Sequence, residues 1–172
     1  MTASVYLAPA TRSGGVYPYL ERAVRTGVER DFYEQFTESD YGDPARVWGL
    51  TSSIEPEWDS IDAGDWLLFY TRENSYEYAA RVTGTEHNEP LGNALRTDVL
   101  DADKSEDRNW DLLVFLDDPV PVSISGDDVQ DRFDYGNRFP VRFIRVTDER
   151  LDSVHSEYGD VERFIDAIAD DS

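Results

Sequence analysis

Residues 47–82, VWGLTSSIEPEWDSIDAGDWLLFYTRENSYEYAARV, hold three of the chain's four tryptophans. Residues 46–50 are rich in β-formers and predict a short strand ending in Trp-Gly. The hydroxyl-rich turn TSS follows, then a helical turn around Trp58 over residues 56–61. Gly64-Asp65 opens a long hairpin. Residues 66–71 run apolar, residues 76–83 follow with β-formers, and RENS between them makes the turn. Outward toward the N-terminus, SVYLA (4–8) predicts a first strand, and residues 18–28 a helix with Leu20, Ala23 and Val24 on one face. Residues 31–36 add a further helical turn. Toward the C-terminus, residues 91–100 fit a helix or an irregular excursion, and DADKSEDRN is a polar loop. Residues 110–116 and 120–124 predict strands parted by DDP. Ser125 is placed to cap a helix over 127–133. Residues 139–146 predict a strand with Pro140 at its edge or start. Residues 160–169 form an amphipathic helix, with Val161, Phe164, Ile165 and Ile168 on one face.

Strands dominate the centre, and most connections are too short for parallel crossovers. The expected fold class is α+β: a small mixed β-barrel with peripheral helices, built as a single domain over residues 1–172. The acidic end ADDS reads as frayed.

The chain carries 37 acidic and 16 basic residues, a formal net charge of −21, and Lys104 is its single lysine. Abundant short carboxylates with almost no lysine fit a halophilic protein, because carboxylates hold water and ions while lysine stems expose apolar surface. Above 1 M salt the Debye length is about 3 Å, so net charge barely reaches a partner. The acidity therefore describes the solvent and does not exclude nucleic acid. With 13% aromatic residues the chain is no disordered acidic tail. No cysteine is present, which removes disulfides, thiol nucleophiles and thiolate metal sites. No membrane-length apolar run or basic leader occurs, so a soluble, cytoplasmic protein with no membrane partner is expected.

Catalytic equipment is sparse. His87 and His155 lie far apart and read as solvated surface histidines, so no metal site and no cofactor are expected. Phosphate-binding and nucleophile-elbow motifs are missing. A restriction-type nuclease commonly wants an acid two positions before a lysine; in DADK that position is Ala102. The chain thus reads as a binding module and not an enzyme. Trp66 inside WLLFY reads as core, and Trp58 as a cover over the barrel end. Trp48 and Trp110 fall where loop meets strand, the place for a site at a barrel mouth.

Taken in order, SVYLA, WGLTSS, GDWLLFY, YEYAARVTG, EDRNW and DLLVFLDDPVPV resemble the EVE and YTH group of the PUA-like superfamily, across roughly residues 4–137. EVE-type domains of modification-dependent restriction systems are the nearer analogy. The resemblance implies a non-catalytic reader of a modified, methylated base, flipped out and stacked between aromatic walls. On this chain those walls are Trp48 and Trp110, with Tyr6 as a further wall. Gly49, Leu50, Thr51 and Ser52 would read the base edge. Arg46, Arg108, Asn137, Arg138, Arg142 and Arg145 are the candidates for phosphate contact; for each arginine the competing reading is a surface ion pair. The implied partner is nucleic acid with a modified base, DNA ahead of RNA, with an effector nuclease or defence-complex subunit alongside. A small nucleotide-like ligand at the same mouth, or a protein-binding adaptor, are the alternatives.

Overall fold

A buried carboxylate ties the start of the sheet together. Asp65, 5% exposed, accepts the backbone N–H of Ser4 and of Asp62, each at 2.9 Å. Gly64 beside it has φ +99°, a left-handed turn that glycine adopts without strain. The Gly-Asp step thereby sets β3 (Trp66–Arg72) beside β1 (Val5–Pro9), in parallel, with Val5 opposite Trp66 and Pro9 opposite Tyr70. The computed structural model describes residues 3–10, 20–72, 74–99, 110–134 and 143–169.

Seven strands form one sheet in the order β2-β5-β4-β3-β1-β7, with β6 also on β4. The remaining strands are β2 (Arg46–Leu50), β4 (Ser75–His87), β5 (Leu112–Leu116), β6 (Val120–Ser125) and β7 (Ile144–Val146). β4 is the 13-residue hinge of the sheet. Its first half pairs with β3 and β6, and its second half with β5. A register shift between Val82 and Gly84 bends it there. β5 and β6 run one after the other along the same edge of β4, parted at residues 117–119. That break frees β5 to turn away and carry β2 with it.

The sheet curls without closing. β2 and β7 end the strand order, and among the described residues they do not pair, so the barrel expected from the strand count is an open, curled sheet. β2 packs against α1 (Leu20–Thr26, π-helical). Arg46 donates from Nη1 to the carbonyls of Val24 (2.6 Å) and Arg25 at the end of that helix. A bridge between Val28 and Ala45 continues the seam.

Strand alternation divides the interior into two cores. Tyr6, Ala8, Leu67, Phe69, Ala80 and Val82 face the concave side, with Trp48 and most of β5. Val5, Leu7, Trp66, Leu68 and Tyr70 face the other side. That second core is covered by α5 (Gly126–Phe133), α6 (Asp152–Tyr158) and α7 (Val161–Ile168). Ser125 caps α5 through Asp128 N–H at 3.0 Å, as its position in the sequence predicted. Asp160 caps α7 through Arg163 N–H at 2.8 Å.

On the far flank, α2 (Arg30–Tyr33) leads into an excursion pinned to β4 and β5. Tyr41 stacks on Phe115 at 3.5 Å and donates its hydroxyl to Glu86 at 2.8 Å. Burial, then the Glu86 carboxylate, pushes the Tyr41 phenol up to about 12. Two further helices frame the sheet's end: α3 (Glu55–Asp59), and α4 (Glu89–Ala94), which runs on as a π-helical turn, Leu95–Val99. No helix among the described residues is long and apolar enough to cross a membrane.

Candidate functional site

Three chain segments meet at one end of the curled sheet. Leu50 and His87 both lie opposite Leu112, so the end of β2, the end of β4 and the start of β5 sit side by side. Trp58, from α3, covers this end as its sequence position suggested. Its indole Nε1 donates to the carbonyl of Leu113 at 3.1 Å, and its ring stands edge-on to His87 at 6.4 Å. His87 approaches Asp111 with Nε2 to Oδ2 at 3.3 Å. Trp110 is half-buried against the concave core. The Arg96 guanidinium lies over its ring, 5.7 Å from the centroid.

Trp48 sits one step inside this rim. It pairs with Val114, is 4% exposed, and meets Phe69 edge-on at 5.0 Å. Trp48 therefore lies deeper than a strand-end mouth position suggests. The core against which Trp110 packs is the one that contains Trp48. Tyr6 is fully buried in the same core, stacked on Phe143 at 5.4 Å, and its hydroxyl shares a 2.8 Å hydrogen bond with Ser60. Burial raises the Tyr6 phenol above its ordinary value, partly offset by the Ser60 bond. Gly49 lies opposite Leu113 and is partly exposed, whereas Leu50 is buried. Thr51 is partly exposed at the rim and shares a 2.7 Å hydroxyl contact with Ser53. Ser52 begins the 3-10 turn Ser52–Ile54; its side chain lies outside the description.

The expected cations are placed unequally. Arg46 is largely committed inside the fold: besides the two carbonyls of α1 it pairs with Asp118 at 2.7 Å, and its side chain is 16% exposed. Arg145, on β7 opposite Tyr6, reaches the Ser4 hydroxyl at 3.2 Å and Asp148 at 3.5 Å. Arg108, Asn137, Arg138 and Arg142 lie outside the described residues. His87 is exposed as expected, but the expectation of a solvated His155 is corrected: its Nε2 is buried without a partner among the described atoms. Among the described residues no group of three or more His, Asp or Glu is arranged to hold a metal.

Sequence reasoning passed over Arg96, Asn88 and Gly92, which all contact the Trp110–Asp111 step. Arg96 sits in a stretch read as helix or excursion, and no local pattern marks a buried arginine there. Gly92 was legible only as a glycine in a helical window.

No family model and no curated protein sequence matches the chain. Among the solved structures that share its fold are these two. One is the N-terminal domain of McrB from Thermococcus gammatolerans, solved bound to m5C DNA. It is 22% identical, with a TM-score of 0.69 over 89% of this chain and 95% of that one. The other is ASCH from Zymomonas mobilis, 8% identical, with a TM-score of 0.50 over 89% and 94% of the two chains. This chain shares with both the same overall fold.

Proposed function

We propose that this chain is a non-catalytic DNA-binding module that takes a modified base, 5-methylcytosine first among them, into an aromatic pocket. The observation that carries the reading is the shared fold, across nearly all of both chains, with a domain solved on m5C DNA. The rim supports it chemically. Trp110 is half-buried and is the proposed stacking surface, and Trp48, deeper in the same core, is the proposed inner wall. A base lifted from the duplex offers a flat face to such walls, and its methyl group adds apolar area to bury. The backbone from Gly49 to Ser52 is the proposed reader of the base edge, with Thr51 at the rim.

Arg145 and the segment around Arg138 and Arg142 are the proposed phosphate contacts, with Arg108 and Asn137; Arg46 would have to release hydrogen bonds to join them. At a finer level we read the domain as EVE-type, on WGLTSS, GDWLLFY and EDRNW. It would work inside the cell, in a salt-rich cytoplasm, and guide an effector nuclease of a restriction or defence assembly.

The test is tryptophan fluorescence during titration with duplexes that carry one 5-methylcytosine or none. The methylated duplex should quench and bind, and Trp110→Ala should lose about 1–3 kcal/mol of that binding. Identical responses to both duplexes would remove the reading. Methylated RNA in the same assay decides between the two nucleic acids.

A further inference from the structure

One element reaches both the backbone and the ring of Trp110. α4 and its π-helical continuation touch the Trp110–Asp111 step at three places. At the start of the helix, Asn88 donates its backbone N–H to the Asp111 carbonyl at 2.8 Å. The same residue caps α4, its Oδ1 accepting Leu91 N–H at 3.0 Å. Its Nδ2 donates to Phe36 O at 3.0 Å and to Glu86 at 2.6 Å, which fixes the helix against β4 and the excursion. In the middle of the helix, Gly92 packs flush on the Trp110 backbone. A Cβ at Gly92 would overlap the Trp110 carbonyl oxygen and lie 2.6 Å from its carbonyl carbon. Past the helix, Arg96, 5% exposed, lays its guanidinium over the Trp110 ring.

Glycine is a poor helix former, so its place inside α4 needs a reason. The close approach of Trp110 is that reason, and no other residue type allows it. We propose that Gly92 and Arg96 are the positioning residues for Trp110. Gly92 sets the depth at which the tryptophan enters the rim. Arg96 holds the indole by a cation–π contact. The inference rests on the function proposed above for its consequence in binding, but its geometry is measurable without DNA.

The experiment follows the four indole N–H signals by NMR on the full chain, with Trp110 assigned by Trp110→Phe. In Gly92→Ala the Trp110 signal should move while the other three stay. The same variant should lose about tenfold in affinity for a duplex carrying 5-methylcytosine. Arg96→Lys keeps the charge and loses the planar cover, and it should move the same signal by a smaller shift. It decides the matter should Gly92→Ala not fold. Gly84→Ala is the control, since its Cβ would meet only the Tyr41 ring at an ordinary 3.9 Å. An unmoved Trp110 signal in a folded Gly92→Ala, or in Arg96→Lys if the first does not fold, overturns the inference whatever the DNA result. So does a shift of all four signals together. A wild-type chain blind to methylation would end the proposed function, while the indole shift would still decide the positioning.

Discussion

Asp65 shows how one residue can carry a fold. Its buried carboxylate takes two backbone N–H groups from separate segments, and Trp66 N–H returns a 2.9 Å bond to Ser4 O across the same step. Removing it leaves two donors without their acceptor. Asp65→Ala should therefore cost about 2–4 kcal/mol, read as a lower denaturant midpoint, with Asp65→Asn recovering part of the loss. A variant as stable as the wild type would show that water replaces the carboxylate. The same scale divides the tryptophans. Trp66 was legible as core, because WLLFY is a continuous apolar run, and it is 7% exposed. Trp48 was not legible as deeply buried. The Gly49-Leu50-Thr51 that follows it looks like a strand end, and nothing local reveals that Phe69 meets it across the sheet. Its truncation would open a core cavity, typically about 3–5 kcal/mol. Trp110, nearer the surface, is accordingly the cleaner position for a binding test.

Elements with strong local signals were legible. β2 was read to the residue, since a β-former run is closed by Gly and hydroxyl residues. α7 was read from its apolar face, and α5 from its Ser125 cap. Asp160→Ala should remove the α7 cap and lower stability by about 1 kcal/mol, measured by thermal or urea unfolding. No change would mean that the packing of Phe164 and Ile165 alone fixes the helix start. The elements that escaped reading lack local signals. α6, SVHSEY around its centre, has only Val154 buried and no apolar stripe. The extension of β4 to His87 depends on β5 as a partner, because TGTEH by itself suggests a turn. The open strand order among the described residues is likewise non-local, since it depends on which distant strands pair.

For the whole molecule, charge and fold belong to different arguments. The proposed function ties the net charge of −21 to the solvent and the curled sheet with its aromatic rim to the ligand. If the domain works in brine, counterion release adds little affinity, and stacking must supply it. Binding of a methylated duplex should then change little between about 0.5 M and about 3 M KCl. A steep fall would mean that phosphate contacts dominate and that the charge reading is wrong. The central claim is narrower: the rim recognises a single methyl group on a base. Its most direct measurement is the ratio of dissociation constants for two duplexes identical except for one 5-methylcytosine, taken at fixed salt. Burying a methyl group is worth about 0.8 kcal/mol, so the account predicts at least about fourfold tighter binding of the methylated duplex. A ratio of one, with both duplexes bound, would contradict it.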